Sequence, residues 1–175
     1  MCRKILIGFI TMMWVAMANG QDSYPVPPAN ANQLFYLQRT SNVNTIVCEL
    51  NYKTDGALDE EDPINVFWLR YQEKGQKEEL NYVQRKFAYG IKATLLAKDK
   101  YEMHFVSYKK YHMFLKKGNN NKINDYATIN KKEAILHRIF VKITGGTLWL
   151  PKVEYVELKG YDAATGKELL ERLKV

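Results

Sequence analysis

Two arginines each end an otherwise apolar stripe. In LFYLQRT (34–40), period-two alternation puts Phe35, Leu37 and Arg39 on one face, and in INVFWLRY (64–71) it puts Ile64, Val66, Trp68 and Arg70 on one face. A guanidinium at the rim of an apolar interior needs a partner, and its planar fork matches carboxylates and phosphates in a bidentate way. One reading makes Arg39, Trp68 and Arg70 an anion-recognising mouth, with Trp68 as a stacking wall. The other has each arginine paired with a carboxylate of the same domain or reaching solvent, the commoner fate of a strand arginine. Both depend on register, because a one-residue slip turns both arginines to the opposite face.

Other chemistries find less support. There is no G-x-S-x-G elbow. Cys48 lies in TIVCEL between Ile46 and Leu50 on one strand face, where it reads as a small buried hydrophobe. His104, His112 and His137 fall on different expected strands without an H-x-H or H-E-x-x-H pair, so no metal site is expected. The acidic run Asp55, Asp59, Glu60, Glu61 and Asp62 fails the EF-hand spacing and reads as a solvated turn. Lys109, Lys110, Lys116, Lys117 and Lys122 bracket YHMFL. Cations among rings can bind single-stranded nucleic acid, but lysines flanking an apolar strand more often guard it against edge-to-edge pairing. No nucleic-acid partner, no cofactor and no catalytic residue is expected.

The N-terminus sets the compartment. Arg3 and Lys4 precede an apolar run from Ile5 to Met17, and Ala18-Asn19-Gly20 supplies small residues before Gln21. This is the pattern of a secretory signal peptide over residues 1–20, and the apolar run is shorter than the roughly 20 residues of a membrane span. The expectation is an exported protein of the periplasm, cell envelope or exterior, with no stable membrane span after cleavage. Removing residues 1–20 from 175 leaves 155, enough for one domain. It leaves Cys48 as the one cysteine, so no internal disulfide can form. The charge of +7 falls to +5 without Arg3 and Lys4, a balance that outside the cytoplasm favours anionic polysaccharide or lipid headgroups over nucleic acid.

The elements that must position the arginines are strands. QDSYPVPPANANQ (21–33) is an extended, proline-rich arm, and residues 34–175 form a single β-rich domain. Alternating segments recur at 34–40, 45–52, 64–71, 91–97, 101–108, 111–117, 134–144 and 147–158, with SNVN as a hairpin connection and GNNNKIND as a loop. Pro151 marks an edge or a bulge. Leu80, Val83 and Phe87 recur at helical spacing, and Gly90 stands where a C-terminal cap belongs, so a short helix is expected near 77–88. KELLERL near the end reads as a strand after a Thr165-Gly166 turn or as a short helix. The fold class is mainly β, an antiparallel β-sandwich or, alternatively, a closed β-barrel.

LFYLQRTSNVNTIV, INVFWLRY with its following GQ, QRKFAYG, and LWLPKVEYVEL occur in that order. In these blocks the chain resembles the exported bacterial domain of unknown function 4833 family, of Bacteroides type, over roughly residues 24–170. The resemblance implies no activity, ligand or catalytic residue. The expected function is therefore a noncatalytic binding module for a glycan, a lipid or a small anion, using Arg39, Trp68 and Arg70. The alternatives are a cell-envelope structural or interaction protein, and a hydrolase whose residues converge only in the fold.

Overall fold

The computed structural model describes residues 24–118, 121–147 and 150–174, so the expected signal peptide lies outside the described residues. Eleven strands and one short helix follow in order: β1 (Gln33–Arg39), β2 (Asn42–Leu50), β3 (Ile64–Leu69), β4 (Lys77–Glu79), α1 (Tyr82–Phe87), β5 (Ile91–Ala97), β6 (Lys100–Phe105), β7 (Tyr108–Lys117), β8 (Ile123–Ile129), β9 (Lys132–Gly146), β10 (Pro151–Asp162) and β11 (Glu168–Lys174). The protein is mainly β, and its sheet curls into a half-barrel.

The organising element is β9. One edge pairs with β10 from Ala134 to Gly146, and β11 continues the sheet beyond β10. The opposite edge is shared end to end by two strands. β8 pairs antiparallel with its first part, Ile129 opposite Lys132 and Tyr126 opposite Ile135. β1 pairs parallel with its later part, from Tyr36 opposite Arg138 to Arg39 opposite Val141. Two wings spread from β9, β1-β2-β3-β4 on one side and β8-β7-β6-β5 on the other, and they approach again at β3 and β5. The antiparallel expectation is thereby corrected: the sheet is mixed, because β1 and β9 are joined through intervening wings rather than by a hairpin.

The inner faces of both wings form the main core, with Phe35, Leu37, Ile46, Cys48, Val66 and Trp68 from one and Tyr101, Met103, Met113, Leu115 and Ile129 from the other. The first wing is also buried on its outer face, where Tyr36, Val47 and Phe67 form a second cluster. The proline-rich arm lies across that side. Pro25 O accepts a hydrogen bond from Gln38 Nε2 at 2.8 Å, Val26 O accepts from the Tyr71 hydroxyl at 3.5 Å, and Tyr24 packs edge-on against Phe140. The arm therefore covers a sheet face, which its lack of periodicity did not foretell.

The one short helix falls within its expected span but is shorter and more exposed than its spacing suggests. Residues 77–79 form β4, and α1 is only six residues long with none of them buried; Leu80 enters the core, but Val83 and Phe87 are exposed. A capping box explains the late start: Asn81 Oδ1 accepts from Gln84 N, and Gln84 Oε1 accepts from Asn81 N. The C-cap is Ala88 rather than Gly90, which is required for a different reason. A Cβ at Gly90 would lie 1.9 Å from Arg85 O, so only glycine lets the chain pass beneath the helix. Three other expectations resolve cleanly. Residues 123–125, read as loop, belong to β8; KELLERL after its first residue, Lys167, lies in strand β11; and β10 carries register shifts next to Pro151, at Lys152/Val153 and Val153/Tyr155.

One core position is chemically costly. Asp125, opposite Leu115 on β8, shares the inward face with Ala127 and Ile129, is 1% exposed, and neither carboxylate oxygen has a hydrogen-bond partner. Burial pushes its carboxyl pKa well up. The Cys48 thiol is raised by burial first and by Asp125 second, and the Tyr111 hydroxyl is raised in the same order. Because the folded pKa exceeds the unfolded one, near 3.9, the folded state binds the extra proton. This contribution to stability is fully present below the unfolded pKa and is lost as pH rises toward the folded pKa. Urea unfolding at a series of pH values should show wild type losing stability relative to Asp125→Asn as pH rises above about 4, at a slope approaching about 1.4 kcal/mol per pH unit. Parallel pH profiles for the two proteins would refute a buried acid of this kind.

Candidate functional site

Arg39, Trp68 and Arg70 come together. β1 and β2 are hairpin partners, and β2 pairs in turn with β3, setting Ile46 opposite both Leu37 and Trp68. This places the two arginine-bearing strand ends side by side, and the inward faces are those that alternation assigns. The Arg39 guanidinium carbon lies 5.8 Å from the Trp68 ring centroid and 5.7 Å from that of Tyr89, and the Arg70 carbon lies 5.6 Å from Trp68. Trp68 meets Tyr89 edge-on at 5.2 Å, and its Nε1 donates to Gln84 Oε1 at 3.3 Å. The cap that starts α1 thus also fixes the tryptophan.

The two arginines have different fates. Arg70 forms a bidentate pair with Glu78 of β4, Nε to Oε2 at 2.7 Å and Nη2 to Oε1 at 2.9 Å. Hydrogen bonding from Arg70 lowers the Glu78 pKa, and the same bond raises that of Arg70. This pair joins the short edge strand to the turn after β3. Arg39 has no ion pair and no hydrogen bond to its guanidinium among the described residues, and its Nε is buried. Cation–π contacts recover part of the lost hydration, on the order of 0.5–2 kcal/mol. A buried N–H without an acceptor is left over.

Arg39 lines a cavity of about 870 Å³. Its floor and walls are Leu37 of β1, Phe105, Tyr111, Ile139 and Val141 of β9, Val156 and Leu158 of β10, and Leu173 of β11. The space opens because β9, β10 and β11 continue past the point where the two wings diverge. Its rim is made by Phe87 and Ala88 at the end of α1, Ser107 in the β6–β7 turn with Tyr108 opening β7, and Gly145 to Thr147 at the end of β9. Two of these segments are tied together: Ser107 Oγ donates to Ala88 O at 2.6 Å, and Val106 N donates to Gly90 O at 2.9 Å.

Most hydroxyls of the lining are already engaged. Tyr111 donates to Thr128 O, Thr40 Oγ1 donates to Val141 O and accepts from Ile143 N, Thr144 donates to Lys152 O, and Thr147 Oγ1 accepts from Leu150 N. Burial raises the Tyr89 pKa, against an opposing influence of Arg39, so the ring stays a neutral phenol beside the cation. Among the described residues Arg39 is the one charged side chain of the lining, and no carboxylate or imidazole contributes to it.

Alternation placed Arg39, Trp68 and Arg70 on one face of their strands, but it gave no signal for Tyr89, which meets both Arg39 and Trp68. Tyr89 sits in the AYG that joins α1 to β5, and neither helical nor strand period reaches it. The cavity was missed too, since it depends on β9 and β10 meeting β1. The other candidate groups stay apart from it. His104 and His112 neighbour each other at 6.5 Å between rings, with His112 Nδ1 2.7 Å from Glu102, while His137 packs between Tyr36 and Tyr161. Asp55 and Asp59 accept hydrogen bonds from their own loop, at Ala57 N and at Glu61 and Asp62 N. No cluster of metal-ligating side chains occurs among the described residues. Lys116 and Lys117 pair with Glu133 and Asp99.

Neither curated proteins nor solved structures gave a match to this chain. A family model does match, over residues 35–172, a span that takes in Arg39, Trp68, Tyr89 and nearly all of the cavity lining. The chain belongs to the family described as domain of unknown function 4833 (DUF4833).

Proposed function

We propose that the protein is an exported, noncatalytic binding module for an amphiphilic anion, whose apolar body fills the cavity and whose acidic group meets Arg39. The observation that carries this reading is an arginine without an anionic partner in the wall of an apolar cavity of about 870 Å³. That volume lies within the range of roughly 300–1,000 Å³ common to small-molecule sites. Arginine cannot shed its proton to escape the cost of burial, so an incoming carboxylate or phosphate would offset the charge through the Nη groups, which have no hydrogen-bond partner among the described residues. A glycan suits the space less well, because its hydroxyls would face aliphatic walls and threonine and tyrosine hydroxyls already bonded to backbone. A small inorganic anion would leave the apolar volume unfilled. Of the expected ligand classes, a lipid-like acid uses both features at once. Arg70 then acts beside the site, bracing Trp68 while Glu78 neutralises it.

Two experiments test this reading. Titration calorimetry on residues 21–175 with a long-chain fatty acid and with its methyl ester compares ligands that differ in the anion alone. The acid should bind about 10–100-fold more tightly than the ester, the range expected for a charge-assisted hydrogen bond. Arg39→Gln should remove that difference, whereas Arg70→Gln should keep it. Equal binding of acid and ester, or an unchanged preference in Arg39→Gln, would rule the reading out. Export is tested separately: the protein recovered from its native cells should come from the envelope or medium and begin at or near Gln21 by mass spectrometry. An intact Met1 in the cytoplasm is the contrary result.

A further inference from the structure

The rim of the cavity has a composition that its walls do not share. Phe87 and Tyr108, both lining residues, are 57% and 44% exposed, and Tyr82 at the start of the short helix is 71% exposed. Cations stand among them. Lys86 Nζ lies 5.2 Å from the Tyr82 ring centroid and 5.3 Å from that of Phe87, and donates to the Tyr82 hydroxyl at 2.8 Å. Lys109 and Lys110 directly follow Tyr108, and Lys152 follows Pro151 across the mouth; all three are exposed, and none forms an ion pair among the described residues. The acids nearby are Glu79, which pairs with Arg85 at 3.5 Å, and Glu154 on β10.

Exposed rings interleaved with lysines suit one environment in particular. At the level of lipid headgroups, aromatic side chains meet the apolar boundary while lysines meet phosphates. We propose that the mouth of the cavity docks on an anionic phospholipid bilayer, with Phe87, Tyr108 and Tyr82 at the headgroup level and Lys86, Lys109, Lys110 and Lys152 on the phosphates. The purpose of this contact rests on the cavity reading above: an amphiphile leaving or entering a bilayer could pass into an apolar space without crossing water. The docking itself depends only on the rim. The charge pattern favours a lipid surface over an apolar protein partner, because Lys86 stands within reach of both the Tyr82 and Phe87 rings and exposed lysines adjoin Tyr108 and Pro151 in the chain.

Co-sedimentation of residues 21–175 with vesicles tests the docking. Vesicles of phosphatidylcholine mixed with phosphatidylglycerol should retain the protein, with retention falling as salt rises, and vesicles of phosphatidylcholine alone should retain far less. The Lys109→Glu/Lys110→Glu variant should bind the mixed vesicles about tenfold or more weakly, as expected for reversing two surface cations. Lys131→Glu/Lys167→Glu makes the same charge change at the far end of β9 and β10, and should bind nearly as wild type. Thermal melts confirm that both variants are folded. Absence of vesicle binding, equal retention on neutral vesicles, or equal losses in the two double variants would overturn the proposal. Arg39→Gln separates the two readings, since it should abolish the preference for an acid in the cavity and leave vesicle binding intact.

Discussion

A strand of fifteen residues has two hydrogen-bonding edges, and burial requires each to be satisfied along its length. In β9 one edge is met by a single partner, β10, and the other by two, β8 and then β1, running in opposite directions. Two strands laid end to end on one edge cannot continue as a single flat sheet. Each carries its own neighbours with its own twist, so the wings separate and curl. The space between them, floored by β9 and β10, is the cavity. Its existence follows from backbone pairing, and its apolar character follows from the inward face of each strand.

The same divergence decides what happens to Arg39. Its neighbour across the parallel ladder is Val141, and the inward face of β9 there offers aliphatic side chains and no carboxylate. The network that could have supplied one lies on the other face. There, Gln38 Oε1 accepts from Arg138, and Glu157 pairs with Arg138 and Arg172. A period-two strand puts Gln38 into that network and Arg39 out of it. Trp68 and Tyr89 are what remains to meet the guanidinium, and rings satisfy charge without accepting its N–H bonds in the plane of the fork.

How much of this could be read in the residues depends on the range of the interaction. Alternation is local, and it placed Phe35, Leu37, Arg39, Trp68 and Cys48 on the inward face they occupy. Cysteine burial and the turn at Thr165-Gly166 were legible for the same reason, with Gly166 at φ +69°. Pairing between residues 36 and 138 is not local, and nothing in either strand marks its partner as parallel. The short helix was legible within its expected span, but its start and burial were not: Leu80, Val83 and Phe87 have the spacing of a buried stripe, while the capping box at Asn81 and Gln84 delays the first turn beyond Leu80. The arm was legible as extended, yet its contacts run through backbone carbonyls of Pro25 and Val26, which no side-chain pattern encodes.

Among the described residues, Asp125 and Arg39 both carry buried charged-group atoms without a hydrogen-bond partner, and their chemistry separates their meaning. Asp125 can take up a proton, and burial drives it to do so. Its cost is then that of a neutral buried acid, a few kcal/mol at most. It sits among Leu115, Ala127 and Cys48 rather than on the cavity wall, where it would reach a ligand. An arginine has no such escape, since a guanidinium has no neutral form in ordinary protein conditions. The charge of Arg39 lies on the wall of an open space, within reach of whatever enters. An acid that can neutralise itself is a burden the fold carries alone, whereas a permanent cation facing a cavity can be compensated only from outside.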